Sequence, residues 1–311
     1  MSGVRLVHVL SENWTLTPPR DLRALVRMAQ EAEDAGFDAV MLSEHVVLGP
    51  GADADGQMAN PRDYALPGNQ DPAMPWPSSL VLLSAIAAAT TTLRLAASAI
   101  IAPLRHPLLL AKDLATLDLL AEGRLVVQPT VSWHEPEYAA LGVPFASRGA
   151  LLDEHLAAWQ AAWGPSPASF QGEHYRFADV WVEPKPCHPD GVRLWLGSST
   201  LHDRLLRRLV RYGHGWNPLG RPTDEDVARL RGALAEAGRD PDGLELVGGT
   251  RGRFPDADSV ADLDEALATI PPQVERGFTS ICVKPSQFLD DASRHAAWCR
   301  EVVAKVAALT R

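Results

Sequence analysis

Short apolar runs and helix-like segments alternate along the whole chain. Eight of the runs are almost wholly apolar, as expected for the strands of a parallel sheet that is buried on both faces. Each run is followed by a segment whose apolar residues recur every three or four positions, which is the spacing of an amphipathic helix. This alternation predicts a parallel sheet with helices outside it. The predicted strands lie at residues 4–10, 37–42, 93–101, 125–127, 192–196, 213–217, 244–247 and 279–283.

Eight strand–helix units favour closure into a (β/α)₈ barrel, an α/β fold of about 250 residues before insertions. The 311 residues would then form a single domain over 1–311, with insertion loops near 49–77 and 164–190 and a small hairpin in the second. A doubly wound open sheet is the alternative, but the G-x-G-x-x-G pattern expected after its first strand is missing. Helices are predicted at residues 21–35, 78–91, 148–163, 201–212, 223–237 and 262–276, with another that begins at Pro107 and a final one that ends near Leu309.

Composition and charge narrow the functional classes. The net charge is −10 and no long basic run is present, which argues against nucleic acid as a partner. No apolar run is long enough to span a bilayer, and the N-terminus lacks a signal-peptide pattern. Cys187, Cys282 and Cys299 have no paired spacing, which fits a reducing cytoplasm better than a disulfide scaffold. We find no metal-binding motif, and we expect a cytoplasmic protein that acts on a small molecule.

Two predicted strands end in polar residues that could carry chemistry. Residues 117–153 contain the strand Leu125–Val127, after which the chain turns polar at Gln128 and reaches Trp133, His134, Glu135 and Glu137. The second strand ends similarly at Glu44-His45. Catalytic residues of α/β barrels lie at the carboxyl ends of strands, and a histidine with a pKa of about 6.5 suits proton transfer near neutral pH. The alternative is that His45 donates a hydrogen bond to a loop carbonyl and has no catalytic role.

A glycine and three hydroxyl residues, Gly197-Ser198-Ser199-Thr200, precede the predicted helix that ends at Tyr212. Backbone N–H groups and the dipole of a helix N-terminus attract phosphate, and such barrels often bind phosphate after a late strand. Ordinary N-capping by Ser or Thr is the alternative.

Apolar side chains on loops and helices suggest two binding surfaces. The 49–77 segment carries Trp76 and follows a first strand that leads to Trp14; such long loops often cover a binding site, although packing onto the barrel rim would equally explain these tryptophans. Trp133 would stack on a ring or form a wall of the substrate pocket. A homodimer would use apolar helix positions that we expect to be exposed, namely Leu114, Leu117 and Leu120.

Six motifs follow one another along the chain. They are AEDAGFDAVMLSEHVVL (32–48), DPAMPWPSSL (71–80), APLRHPLLLAKDLATLDLLAEGRL (102–125), EYAALGVPFASRGALLDE (137–154), VEPKPCHPDGVRLWLGSST (182–200) and RYGHGWNPLG (211–220). In this order and spacing they resemble the luciferase-like monooxygenases, TIM-barrel oxidoreductases that use reduced FMN or the deazaflavin coenzyme F-420. The start SEHVV and the run ALGVPF…RG…LDE are similar to the F-420-dependent branch.

The resemblance assigns roles to particular residues. It implies that His45 is the active-site histidine, with Glu44 beside it. It places a non-proline cis peptide at Ala97–Ala99, so that Ser98 and Ala99 lie behind the cofactor ring, and it places a phosphate at residues 197–200. Gly215 and Trp216 resemble the second half of that phosphate site, although Trp216 would also suit core packing. The implied cofactor is F-420, or alternatively FMN.

The sequence departs from the family pattern after the fourth strand. The family usually has G-x-G-x-G-W there, whereas this chain reads Gln128-Pro129-Thr130-Val131-Ser132-Trp133. Glycines allow a ring to approach the backbone closely, while Gln128 adds bulk and Pro129 lacks an N–H. Gln128 and Thr130 are thus cofactor-site candidates whose effect on cofactor binding is open. Ser198 also replaces a common second glycine. An FMN-dependent monooxygenase, or a degenerate member acting as a binding or partner subunit, remains an alternative.

Overall fold

The computed structural model describes residues 3–310, whose strands and helices alternate almost as predicted. The strands are β1 (Arg5–Val9), β2 (Ala39–Leu42), β3 (Arg94–Ile101), β4 (Leu125–Thr130), β5 (Ala168–Gln171), β6 (Arg176–Val180), β7 (Arg193–Leu196), β8 (Gly215–Trp216), β9 (Glu245–Gly249) and β10 (Ser280–Val283). The helices are α1 (Leu22–Ala35), α2 (Ser79–Ala89), α3 (Pro107–Leu120), α4 (Glu135–Ala140), α5 (Arg148–Trp163), α6 (Asp203–Tyr212), α7 (Asp224–Glu236), α8 (Leu263–Leu267), α9 (Ile270–Glu275) and α10 (His295–Leu309).

Eight of the strands close into a barrel in the order β1-β10-β9-β8-β7-β4-β3-β2. Closure is complete because β1 pairs in parallel with both β2 and β10, so that Val7 lies beside Ala39 on one side and Cys282 on the other. The predicted (β/α)₈ fold is therefore confirmed. The remaining strands, β5 and β6, form an antiparallel hairpin in the 164–190 segment, outside the barrel.

Alternate residues of each strand pack into two separate apolar layers, which explains why the strand sequences are almost wholly apolar. The larger layer lies between the strands and the surrounding helices and includes Leu6 and Leu10 of the first strand region. The smaller layer fills the barrel interior and is contributed by Val7, Val9, Ala39, Met41, Ala96, Val126, Trp195, Val247 and Cys282. The packed interior forms a floor, so that polar side chains at the carboxyl ends of the strands form the barrel mouth.

Two helices differ from the sequence prediction for identifiable reasons. The single helix predicted over 262–276 is two short helices, α8 and α9, and Pro271 and Pro272 lie in the first turn of α9. Proline has no N–H for the preceding turn, so it fits a helix start and not a helix interior. The helix predicted from Leu201 begins at Asp203, because His202 is its N-cap and its Nδ1 accepts the N–H of Leu205.

The expected exposure of the α3 leucines was wrong at two of three positions. Leu114 and Leu117 are buried, while Leu120 is exposed. Leu114 and Leu117 belong to the layer between the barrel and its helices, so they are unavailable to a partner. Within residues 3–310, no helix is both long and apolar enough to cross a membrane.

Candidate active site at the barrel mouth

His45 is held in one orientation by Glu137, a residue of α4. Its Nδ1 lies 3.2 Å from Glu137 Oε2, and a carboxylate only accepts, so Nδ1 carries the proton and Nε2 is left available. The Glu137 carboxylate is fully buried and also accepts the backbone N–H groups of Val46, at 2.5 Å, and Val47, at 3.3 Å. Among the described residues, no group bonds to His45 Nε2. The imidazole can therefore give or take a proton through Nε2.

Two of the predicted pocket tryptophans flank this histidine. The ring centres of Trp76 and Trp133 lie 5.2 Å and 6.0 Å from that of His45, both edge-to-face. His134, next to Trp133, accepts the N–H of Gly49 on Nε2 at 2.7 Å, and burial lowers its pKa. The start and the end of the 49–77 segment are thus both anchored around the catalytic candidate. Trp14 lies nearby and lines a small cavity together with Trp76.

Glu44 does not orient His45. Its carboxylate instead forms a two-bond pair with Arg105, at 2.8 and 2.7 Å, and accepts the N–H of Ile101 and the hydroxyl of Ser79. These contacts join the end of β2 to the end of β3 and to α2. Glu137 orients His45 instead, and Glu44 holds the strand ends together.

The ends of β3 and β4 carry the predicted cofactor residues. The Ser98–Ala99 peptide is cis and a register shift lies between Ser98 and Ile100, as the family resemblance implies. The hydroxyl of Ser98 donates to Gln128 Oε1 at 2.6 Å, and Asn217 Nδ2 donates to the same oxygen at 2.8 Å. Gln128 is only 1% exposed, so the residue that replaces a family glycine fills space and bridges three strand ends. Thr130, at the end of β4, is half-buried.

Only glycine fits at position 197, because the backbone of Asn217 lies against it. A Cβ at this position would lie 1.9 Å from the carbonyl oxygen of Asn217 and 2.8 Å from Gln128 Nε2. The next residue, Ser198, accepts the N–H of Leu219 on its carbonyl oxygen. The turn after β7 is therefore packed closely on the turn after β8. Sequence alone gives no sign of this contact, because the two turns are distant along the chain.

Ser199 and Thr200 are exposed and lie just before α6. They do not cap this helix, so the capping alternative is not what the structure shows. Arginines of α6 surround the cap residue: burial lowers the pKa of His202, and Arg208 and Arg204 lower it further. The two hydroxyl residues lie just before a helix N-terminus, a position that suits an anion.

Gly215 and Trp216 are accounted for by packing. A Cβ on Gly215 would lie 2.3 Å from the indole of Trp195, so the glycine accommodates a barrel-interior tryptophan. Trp216 is 1% exposed and belongs to the layer between strands and helices. This favours the core-packing interpretation of Trp216 over a cofactor contact.

A second polar group at the mouth was missed by the sequence prediction. Lys284 follows β10 and is fully buried; its Nζ donates to the carbonyl of Asp63 at 2.7 Å and lies 5.4 Å from the ring centre of Tyr64. Burial lowers the pKa of Lys284. Glu12, after β1, has one buried carboxylate oxygen without a hydrogen-bond partner among the described residues. Burial raises the pKa of Glu12, and the nearby Lys284 and His45 oppose this. A lysine that ends an apolar strand was the signal available in the sequence.

Comparison with known proteins assigns this chain to a family. Residues 5–279 match the family described as luciferase-like monooxygenase. The chain belongs to the luciferase-like monooxygenase family. An uncharacterised protein of Mycobacterium tuberculosis is 33% identical over 219 residues, which are 68% of this chain and 74% of that protein. The FMNH₂-dependent dimethylsulfone monooxygenase of Pseudomonas putida is 29% identical over 177 residues, 56% of this chain and 43% of the relative. An F-420-dependent secondary alcohol dehydrogenase, solved with an F-420–acetone adduct, shares the fold with a TM-score of 0.69 at 14% identity, covering 99% of each chain.

Membership in the luciferase-like monooxygenase family makes this chain an enzyme of that family. The structure brings together His45, Trp76 and Trp133, and separately Ser98 and Gln128 with Asn217. The barrel mouth thus has one side around β2 that holds the His45 imidazole, and a second side where Gln128 joins residues of β3 and β4 to the end of β8. Sequence patterns did not single out Asn217, Glu12 or Lys284, and they named Glu137 only as one of several polar residues in its loop.

Proposed function

We propose that this protein is an oxidoreductase that binds reduced coenzyme F-420 at the barrel mouth and transfers hydride to a small organic substrate. The observation that carries the proposal is the His45–Glu137 pair, which leaves Nε2 free in a site walled by Trp76 and Trp133. A reduction by hydride needs one proton donor beside the substrate, and this pair supplies one.

The residues present fit a cofactor of this kind. Ser98 and Ala99, at the cis peptide, would lie behind the ring. The exposed hydroxyls of Ser199 and Thr200, beside the arginines of α6, would hold a phosphate. When bound, the reduced cofactor supplies a hydride. Gln128 narrows the ring site relative to the family glycine.

His45 would move the proton that balances the hydride. In the reduction of a carbonyl group, the carbon accepts the hydride while Nε2–H of the protonated imidazole gives its proton to the oxygen. The Glu137 carboxylate stabilises the positive ring through Nδ1–H, in a buried setting where charge-assisted hydrogen bonds are strong. The neutral ring is then reprotonated from solvent.

An FMN-dependent monooxygenase is the second candidate. It is favoured by the relative from Pseudomonas putida, whose name specifies FMNH₂. In that case molecular oxygen would be a co-substrate. Oxidation of reduced F-420 by a small ketone in the absence of oxygen would favour the F-420-dependent oxidoreductase. A strict requirement for oxygen together with reduced FMN would favour the monooxygenase.

Cofactor titration is the first test. We expect F-420 to bind more tightly than FMN, and Thr200→Glu to weaken binding at least tenfold, because it adds a negative charge to the anion site. Thr116→Glu, on the exposed face of α3, is the matched control and should bind like the wild type. Failure of both cofactors to bind would overturn the proposal and support a partner-subunit role.

The catalytic assignment has its own test. His45→Ala should lower kcat by about 10²- to 10⁴-fold, the usual contribution of a positioned proton donor, while the cofactor dissociation constant stays within a few-fold. Unchanged turnover would remove His45 from the mechanism and leave the cofactor assignment intact.

A further inference from the structure

Two histidines and a cysteine meet on the outer side of β1, away from the barrel mouth. His8 has the same strand parity as Leu6 and Leu10, which pack outward, whereas Val7 and Val9 fill the interior. His295 and Cys299 lie one turn apart on α10, a helix that packs beside α1. All three side chains are buried, at 0%, 1% and 0% exposure respectively.

The donor atoms of these residues converge on one point. His8 Nε2 lies 2.7 Å from His295 Nε2, and Cys299 Sγ lies 3.5 Å from the same His295 nitrogen. All three donor atoms lie within 4.8 Å of one another. In a tetrahedral zinc site with Zn–N near 2.0 Å and Zn–S near 2.3 Å, sulfur and nitrogen are separated by roughly 3.5 Å. The two Nε2 atoms would have to separate by about 0.6 Å to reach the corresponding N–N spacing.

A carboxylate fixes the tautomer of His295. Glu31, on α1, accepts from His295 Nδ1 across 2.6 Å. Because a carboxylate only accepts, the proton is on Nδ1, and Nε2 of the neutral ring offers a lone pair to the cluster. Histidines that bind metal usually donate their other N–H to a carboxylate in this way, and the contact orients the ligand. The contact between His295 and Glu31 is therefore a second feature typical of a metal site, in addition to the proximity of the three side chains.

A purely hydrogen-bonded network would leave these side chains incompletely satisfied. If His8 donates Nε2–H to His295, its own Nδ1 becomes a buried acceptor, and no described residue donates to that atom. Phe37 and Trp298, whose ring centres lie 5.5 and 6.1 Å from that of His8, surround the ring with apolar surface. Buried polar atoms without partners are uncommon and mark places where an ion or a water belongs.

We infer that His8, His295 and Cys299 form a binding site for one Zn²⁺ ion that fastens α10 and, through Glu31, α1 to the outer wall of the barrel. Two imidazoles and a thiolate are a donor set that suits Zn²⁺, which accepts three protein ligands with a small molecule in the fourth position. On binding, the S–H bond of Cys299 breaks, the S–Zn bond forms and one proton leaves to solvent. The site is separate from the barrel mouth, so it is independent of the proposed redox reaction.

One other group of possible metal ligands occurs among the described residues, and it supplies a control. Glu154, Glu173 and His174 also come together, but the carboxylate of Glu154 already accepts the backbone N–H groups of residues 173–175. Glu173 and His174 are exposed, and their contacts are explained by a capped hairpin turn.

Titration of chelator-treated protein with Co²⁺, a spectroscopic probe for Zn²⁺, tests the inference. We expect one equivalent to bind with tetrahedral visible bands and a near-ultraviolet thiolate-to-cobalt band, and Zn²⁺ to displace it. Cys299→Ser should remove the thiolate band, and Glu31→Gln should weaken affinity about 10- to 100-fold. His174→Gln and Cys187→Ser should behave like the wild type.

Two results would overturn the site: no thiolate–cobalt band in the wild-type protein, or a band that persists in Cys299→Ser. Because Glu31 is partly exposed, with 39% of its side chain accessible, the Glu31→Gln variant remains informative even if the buried substitutions prevent folding. Unchanged Co²⁺ affinity in Glu31→Gln would likewise count against the site. None of these readouts depends on enzyme activity, so the proposed function and the metal site fail separately.

Discussion

His45 depends on a partner that lies 92 residues further along the chain. A histidine at the end of a predicted strand is visible in the sequence, whereas the carboxylate that orients it is one of several acidic residues in a polar loop. Glu135 and Glu137 flank Pro136 in the first turn of α4, yet only Glu137 is buried and reaches His45. The choice between them is made by the direction of a short helix, which residue patterns do not specify.

Replacing Glu137 tests the positioning role directly. Glu137→Gln keeps the shape of the side chain but cannot stabilise a positively charged imidazole, so we expect kcat to fall about 10- to 100-fold with KM within a few-fold. Glu135→Gln, on an exposed residue of the same turn, is the matched control and should retain wild-type turnover. Equal losses of kcat in both variants would show that Glu137 has no specific role in positioning His45.

Gln128 is the residue at which this chain differs most clearly from its family. It joins Ser98 and Asn217 through one amide oxygen, so removal of the side chain both opens space and frees two donors. We expect Gln128→Gly to change cofactor affinity by at least fivefold, measured by fluorescence titration with F-420 and FMN. Val127→Ala, on the outward face of the same strand, controls for a general loosening of β4. If neither affinity changes, Gln128 does not shape the ring site.

The elements were predicted well where local patterns determine them and less well where distant contacts do. Alternating apolar strands and helices defined the barrel, since each strand must bury two faces and each helix one. The break between α8 and α9 was readable from Pro271-Pro272 but was overlooked. The packing of the turn after β7 against the turn after β8 could not be read, because it joins Gly197 to Asn217 across the barrel edge.

The 49–77 segment is fastened to the rim near β9 and β10. Arg251 binds Asp63 through two hydrogen bonds of 3.0 and 2.7 Å, and Asn60 donates to the carbonyls of Asp256 and Ser259. The same segment places Tyr64 against the barrel interior. These contacts favour packing onto the rim for the middle of the long loop, while Trp76 near its end reaches the histidine.

Removing the ion pair between Arg251 and Asp63 should loosen the middle of the segment. We expect Arg251→Met to increase amide hydrogen exchange several-fold in peptides covering residues 57–66, since a partly exposed ion pair contributes up to about 1 kcal/mol. Arg253→Met removes a more exposed pair, with Glu265, at 3.4 Å, and should leave that exchange unchanged. Unaltered hydrogen exchange in Arg251→Met would mean that the contacts of Asn60 and Lys284 are sufficient to hold the segment in place.

At the scale of the whole molecule, the barrel buries ionisable groups whose charged forms are disfavoured by burial. The barrel interior is apolar. Glu12 follows β1, Lys284 follows β10, and both have few hydrogen-bond partners. Sequence reasoning gave the barrel and its eight strand ends, but it could not rank the side chains at those ends by burial. A site of this kind lowers stability in exchange for function, which is common in enzymes.

Glu12 allows this stability cost to be measured against pH. Burial raises the pKa of Glu12 above its ordinary value near 4.5, despite the opposing Lys284 and His45, so the folded protein binds more protons than the unfolded chain between that value and the raised one. Stability contributed by this group is therefore present below pH 4.5 and is lost as the pH rises through the folded-state pKa. Glu12→Gln keeps the shape and removes the charge, so it should raise the free energy of unfolding at pH 8 and leave it almost unchanged at pH 4. Urea denaturation at the two pH values measures the difference, with Glu135→Gln as an exposed control. A variant that is less stable than the wild type at pH 8 would show that attraction between Glu12 and Lys284 outweighs burial.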